Sequence, residues 1–212
     1  DIPKSDVIIA GPPCQGFSLT GPRNIDDPRN KLYLSVFKTL KLTNPKAFVV
    51  ENVRGLKTMW DGNVFKEIIK KFESAGYIVT ESLLNSADYG VPQIRHRVFI
   101  VGIKKELNKK FEFPKPEFDK DNYITCGEAI DNLPSLENGE LKSINYNEKP
   151  TTNFQRYVMD CNKLYNHEAT LHKQFVKETI ALVPEGGNYK NLPKGVGDSR
   201  KFNEAWTRYH SK

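Results

Sequence analysis

Three short stretches concentrate residue types that could do chemistry together. Gly11-Pro12-Pro13-Cys14-Gln15-Gly16-Phe17-Ser18 places a thiol directly after a stiff Pro-Pro pair. Glu51-Asn52-Val53 brings a carboxyl group and an amide, and Gln93-Ile94-Arg95-His96-Arg97 brings two guanidinium groups. A Pro-Pro pair restricts the backbone, so the thiol that follows is held at a fixed place. At a strand-to-loop junction its thiolate can be favoured by nearby amides or a cation, which suits nucleophilic attack. A free cysteine is as readily a small buried hydrophobe, and the Pro-Pro-Cys-Gln context alone divides the two readings evenly. Glu51 has the same two sides: a proton-handling acid, or a strand-end carboxylate paired structurally with Arg95 or Arg97.

These stretches sit at the ends of predicted elements. Residues 7–10 form an all-apolar strand stopped by Gly11-Pro12-Pro13. Residues 31–42 have apolar positions at helical spacing (Leu32, Val36, Leu40, with Phe37), and Asn44-Pro45 ends that helix. A second buried strand, 47–50, stops on Glu51-Asn52. Residues 64–75 form an amphipathic helix through Phe65, Ile68, Ile69 and Phe72, closed by Gly76. Strands at 77–84 and 98–103 follow, separated by a loop through Tyr89-Gly90-Val91-Pro92, with 93–97 just before the last strand. Strand alternating with helix is the grammar of a doubly wound parallel sheet, which binds ligands at the carboxyl ends of its strands. The reactive residue types stand at those ends.

Beyond residue 104 the texture changes. A Pro-, Lys- and Phe-rich connector covers 111–120. A short helix is predicted over 126–133, stopped by Pro134, and another helix over 170–182, running into Pro184-Glu185-Gly186-Gly187. Residues 137–152 are polar and lack periodicity. The predicted division is 1–110 as a catalytic sheet region and 111–212 as a connector with a smaller irregular region.

Composition bounds the function. A chain of 212 residues can bury a core. With 38% apolar and 27% charged residues, and a mean hydropathy of -0.59, it reads as an ordinary globular chain. Its longest apolar runs are strand-sized, so no membrane span is predicted, and no stretch has the pattern of a secretory leader. The net charge of +6 fits a polyanionic partner without requiring one. Three widely separated cysteines, Cys14, Cys126 and Cys161, argue against a disulfide framework and for a reducing, cytoplasmic setting. His167 and His172 are five apart and no cysteine pair has zinc spacing, so no metal is predicted. Gly186-Gly187 lacks the Gly-Lys-Ser/Thr of a phosphate loop. Cys126 and Cys161 read as inert, and Trp60, Tyr77 and most phenylalanines as packing residues.

In this order the three stretches resemble three motifs of the DNA cytosine-C5 methyltransferases, in particular the bacterial restriction-modification type. Two intervening segments extend the likeness. Asp27-Pro28-Arg29-Asn30-Lys31-Leu32 is similar to the end of the family's mobile catalytic loop, and residues 84–93 to its approach to Arg-x-Arg. The resemblance covers residues 1–105 closely and the rest loosely. It implies an α/β fold: the C-terminal half of a Rossmann-like class I methyltransferase sheet, followed by the start of a small irregular target-recognition region. It also implies S-adenosylmethionine as methyl donor and double-stranded DNA as substrate, with the target cytosine rotated out of the duplex.

The residue roles follow from the resemblance. Cys14 is the nucleophile for C6, whose attack makes C5 reactive enough to take a methyl group. Glu51 handles a proton at N3, a role suited to a partly buried acid. Arg97 hydrogen-bonds O2, and Arg95 orients Glu51 or reaches a phosphate. The Pro12 carbonyl accepts from the exocyclic amino group. Gln15, Ser18, Arg29 and Asn52 belong to the substrate side, Asn52 partly by fixing the loop through its amide. Arg23 and Lys31 read better as solvated charge. Pro13 and Leu32 match positions that touch the cofactor. Residues 183–193 are similar to a stretch early in the recognition region of some bacterial members, or are simply a turn.

The chain departs from the family in two places. It has no Phe-x-Gly-x-Gly cofactor motif with its downstream acidic ribose ligand, and no C-terminal motifs. Missing segments or a complementary chain are therefore expected to supply the rest of the cofactor site. The strand at 7–10 is expected to be an unprotected parallel edge, and the chain alone to be inactive. Three alternatives are a tRNA cytosine-5 methyltransferase, a non-catalytic nucleic-acid-binding fragment and, more remotely, a thiol hydrolase. For the last, the only histidine in the matched segments is His96, whose two arginine neighbours disfavour its cation.

Overall fold

A computed structural model of the chain describes residues 2–13, 32–136, 144–146, 149–159 and 163–196. Two compact units emerge: Asp1–Gly90 with Ile94–Asp119, and Val91–Gln93 with Lys120–Lys212. The fold is a mixed α/β sheet with helices, followed by a smaller irregular region.

In the first unit the order is β1 (Val7–Ala10), α1 (Tyr33–Thr43), β2 (Ala47–Val53), a one-turn α2 (Gly55–Thr58), α3 (Asn63–Ser74), β3 (Tyr77–Asn85) and β4 (His96–Lys104). The four strands lie in the order β1-β2-β4-β3. Strands β1 and β2 are parallel, with Ala10 beside Val50. Strand β4 runs antiparallel to both its neighbours, β2 and β3. This corrects the expectation of an all-parallel sheet. The reason is local: the ten residues between β3 and β4 include no α-helix. A parallel crossover needs a dozen or more residues, usually with a helix. The position of β4 between its neighbours also has a cause. Val98, Ile100 and Val101 are buried, so both of its faces are covered, as befits an interior strand.

The helix boundaries shift slightly from prediction. Helix α1 runs on through Thr43 and ends where Asn44 turns left-handed at φ 55°, its N–H donating to the Leu40 carbonyl. Helix α3 gives way to Gly76 at φ +93°, a conformation that glycine adopts at little cost. Strand β2 continues past Glu51 and Asn52 to Val53, and β4 begins at His96. So His96 and Arg97 stand within β4 rather than before it.

The core lies on one face of the sheet, where Phe48, Val50, Val98 and Ile100 meet Val36 and Leu40 of α1 and Phe65, Ile68 and Phe72 of α3. The Phe48 ring packs against Phe72 at 4.8 Å and edge-on to Tyr77 at 5.1 Å. The buried Tyr77 hydroxyl donates to the Pro45 carbonyl at 2.9 Å, tying β3 to the turn after α1. Directly across from Phe48 on β4 is Gly102, and a Cβ there would fall inside the Phe48 ring's contact distance. Gly102→Ala is therefore expected to destabilise the complete protein by about 1–3 kcal/mol through overpacking. Urea unfolding checks this, and a change under about 0.5 kcal/mol would contradict the packing account.

Among the described residues β1 is an outer strand, and its other face is open: Ile9 is 80% exposed and Val7 52%. The connector after residue 110 is tied to the turn that follows β3. The N–H groups of Glu117 and Phe118 donate to the Asp88 carbonyl, and the Tyr89 hydroxyl donates to that of Pro114.

The second unit contains α4 (Cys126–Ile130), β5 (Ile144–Asn145), α5 (Asn153–Val158), β6 (Lys163–Leu164) and α6 (Gln174–Ala181). Helix α4 is shorter than predicted at its C-terminal end, and α6 at both ends. Capping boxes start α4 (Thr125 with Glu128) and α5 (Thr152 with Gln155), satisfying exposed N–H groups at each first turn. Pro184 to Gly187 is a turn closed by the Gly187 N–H on the Pro184 carbonyl. Among the described residues no helix is long and apolar enough to cross a membrane.

Candidate active site

The ends of β1 and β2 lie side by side and bring four of the singled-out residues together. Gly11, the first residue beyond β1, comes alongside Glu51, whose Oε2 is 3.7 Å from where a Gly11 Cβ would stand. Next along, the Asn52 Nδ2 donates to the Pro12 carbonyl at 3.2 Å. The same amide accepts the Val53 N–H on Oδ1 at 2.7 Å. Asn52 is only 5% exposed, and an unpaired buried amide would be costly; here donor and acceptor are both used. Asn52 thus ties the backbone just before Cys14 to β2. The Pro12 carbonyl has two lone pairs, so one remains for a second donor.

Glu51 is held from the other side by β4. Arg97 Nε donates to Glu51 Oε1 at 2.8 Å, and the Arg97 Nη1 donates to the His96 carbonyl at 2.9 Å. The register explains the contact. Val53 is opposite Arg97 and Glu51 opposite Phe99, so Glu51 and Arg97 are diagonal neighbours on one face of an antiparallel pair. The guanidinium on Glu51 is therefore that of Arg97. Arg95, for which orienting Glu51 was one expectation, is exposed at the rim with its backbone held by Asn85 and Ser86. A pair as open as Glu51–Arg97, at 39% and 22% side-chain exposure, contributes about 1 kcal/mol or less to stability. Its main physical consequence is placement: a carboxylate oxygen and a guanidinium fixed together beside the chain that leads into Cys14.

Pro13 and Leu32 are both exposed, Leu32 at the start of α1. Cys14, Gln15, Ser18 and Arg29 lie outside the described residues, as do Arg23, Lys31 and Cys161. Cys126 is a free thiol at the start of α4. The His167 Nε2 is 2.7 Å from the Pro134 carbonyl. Among the described residues no group of three or more His, Cys, Asp or Glu side chains is placed to hold a metal.

Comparison with known proteins supplies the identity. The profile of the C-5 cytosine-specific DNA methylases matches residues 1–208. The chain belongs to that family. Among its relatives is the Type II methyltransferase M1.HphI of Haemophilus parahaemolyticus, 38% identical over 215 residues, covering 98% of this chain and 50% of that protein. The Type II methyltransferase M.DdeI of Desulfomicrobium norvegicum is 38% identical over 194 residues, covering 88% of this chain and 47% of that protein. The chain thus spans about half the length of the curated relatives it matches. A prophage-encoded protein of E. coli, described as a candidate DNA modification methyltransferase, shares the fold. Its TM-score is 0.64 at 24% identity, over 98% of this chain and 65% of that one. The three stretches singled out in the sequence all lie within the family match, with Glu51, Asn52 and Arg97 drawn to one place.

One group was not singled out from the sequence. Asn85 and Ser86, at the end of β3, hold both backbone groups of Arg95. The available signal was an asparagine closing an apolar strand and followed by serine, a pair prone to bond nearby backbone groups.

Proposed function

We propose that the protein containing this chain transfers a methyl group from S-adenosylmethionine to C5 of a flipped-out cytosine in duplex DNA, as the modification enzyme of a restriction-modification system. The observation that carries this reading is the junction of β1 and β2. There the Pro12 carbonyl and the Glu51–Arg97 pair converge on the chain leading to Cys14, in a chain of the cytosine-C5 methylase family. The sheet is then the C-terminal half of a Rossmann-like class I methyltransferase fold. Further segments of the complete protein join along the open edge of β1. Residues 1–110 act as the catalytic half, and 111–212 as connector and part of the target-recognition region. The site of action is the cytoplasm.

In this reading the Cys14 thiolate adds to C6 of cytosine. Electron density moves through the ring toward N3, where Glu51 holds a proton, while Arg97 donates to O2. The Pro12 carbonyl, steadied by Asn52, accepts from the exocyclic amino group and so distinguishes cytosine from thymine. The ring is now an enamine with a nucleophilic C5, and a bound sulfonium donor would supply the methyl group to that carbon as its S–CH3 bond breaks to leave a thioether. Loss of the C5 proton and expulsion of the thiolate then restore the aromatic ring and free Cys14. Pro13 and Leu32 form an apolar wall for the donor. Gln15, Ser18 and Arg29 serve the DNA side, and Arg95 contacts a phosphate, a role its exposure at the rim supports.

Methyl transfer tests the reading. The complete protein, with labelled donor, is expected to produce 5-methylcytosine in duplex DNA and to leave tRNA unlabelled. Label in tRNA alone, or in neither, would overturn it.

A further inference from the structure

We infer that Asn85 is a positioning residue for the proposed reaction, acting through the backbone of Arg95 to hold Arg97 on Glu51. This rests on the functional reading above. The ten residues between β3 and β4, of which Ser86–Tyr89 form a 3-10 turn, make a longer connection than a tight hairpin, so its ends need fastening. Here the far end of the connection is fastened to the near end. The Asn85 Oδ1 accepts the Arg95 N–H at 3.0 Å. The Ser86 N–H donates to the Arg95 carbonyl at 3.0 Å, and the Ser86 hydroxyl donates to it at 3.2 Å.

Arg95 is the last residue before β4, and Arg97 is the second residue of that strand. With both backbone groups of Arg95 bonded, the start of β4 is restrained from swinging. Burial of Val98 and Ile100 sets the register that puts Val53 opposite Arg97, and the clamp steadies the strand's first residues within it. A slip of one residue would turn Arg97 to the opposite face, away from Glu51.

Asn85 is itself held. It is 8% exposed, and its Nδ2 donates to the Asp88 carboxylate at 3.0 Å. Asp88 in turn accepts the connector's Glu117 and Phe118 N–H groups on its carbonyl. The clamp therefore rests on a fixed base rather than on a free loop. The side chain need not touch the substrate; its effect passes through Arg95 to the guanidinium two residues on.

The test uses the complete protein, duplex DNA and labelled methyl donor. Asn85→Ala is expected to lower kcat by about 10- to 100-fold, since small misplacements of catalytic groups cost that much. KM for DNA is expected to change less than about threefold, because the lost interaction acts on the chemistry rather than on binding. Asn85→Asp sets two carboxylates against each other and is expected to be impaired as well. The double variant Asn85→Asp with Asp88→Asn restores an acceptor for Arg95 and a donor to position 85. It is expected to recover activity to within about threefold of the parent.

A merely structural asparagine would lower the melting temperature without this split between kcat and KM and without the rescue. An Asn85→Ala protein that is folded and turns over within twofold of the parent overturns the inference. So does a double variant that folds and stays as impaired as Asn85→Asp. If Asn85→Ala does not fold, the double variant alone decides. A parent protein with no methyl transfer brings down the functional reading instead, and the two failures are thereby distinguished.

Discussion

Duplex DNA carrying 5-fluorocytosine at its target is expected to be captured covalently by the complete protein in the presence of methyl donor, with the bond on Cys14. The fluorine leaves no proton to remove at C5 once the methyl group is in place. Elimination of the thiolate is then blocked, and the thioether to C6 persists. Denaturing electrophoresis would show a protein–DNA species, and peptide mapping would place it between Pro13 and Gln15. Cys14→Ala is expected to form no such species and to lose methyl transfer by roughly 10⁴-fold or more, the scale seen when a covalent nucleophile is removed. The even division between reactive thiol and small hydrophobe is decided by this one measurement. An adduct on another residue, or an active alanine variant, would remove Cys14 from the mechanism.

The second large effect concerns the Glu51–Arg97 ion pair. Arg97→Met and Glu51→Gln are each expected to reduce kcat by about 10²–10³-fold, the usual loss when one donor or proton-handling group aimed at developing charge is removed. Both variants are expected to keep their stability to within about 1 kcal/mol, because a pair this exposed contributes little to folding. That contrast separates the two readings of Glu51. A structural ion pair would show its loss in unfolding experiments and spare turnover. A pair that stabilises charge on a cytosine ring would do the reverse. Unfolding curves beside single-turnover rates make the comparison. A large fall in stability with unchanged kcat would assign the pair to the scaffold.

Asn52 and Asn85 show how the site is supported. Each asparagine uses both ends of its amide. Asn52 joins the Pro12 carbonyl to the backbone of β2, and Asn85 joins Arg95 to Asp88. The reactive side chains come from separate strands, and short polar side chains at the strand ends fix one strand's backbone relative to the next. Hydrogen bonds of this kind are worth only about 1 kcal/mol each in stability. In the proposed reaction their value would lie in geometry, which buried, doubly bonded amides hold better than exposed charged side chains.

The sequence by itself determined most element types, the order of the motifs and which reactive residue types stand at the strand ends. A four-residue apolar run stopped by Gly-Pro-Pro is too short for a helix and reads as a strand entering a stiff turn. The helical spacing of Phe65, Ile68 and Phe72 belongs to residues that are close along the chain and share one face. Cysteine, glutamate and arginine carry their reactivity in their own side chains. Three things were decided only in the folded chain. The antiparallel insertion of β4 between β2 and β3 follows from a short connection and from burial on both faces of β4, a property of the whole sheet. The choice of Arg97 over Arg95 as partner of Glu51 could not be read from spacing, because side chains two apart on a strand point the same way. Only the pairing of Val53 with Arg97 brings one guanidinium to the carboxylate and leaves the other at the rim. The Asn52 bond to the Pro12 carbonyl joins residues forty apart in sequence and exists because β1 and β2 lie in parallel register. Local residue chemistry is written along the chain, whereas register and strand order are set by which apolar faces cover one another.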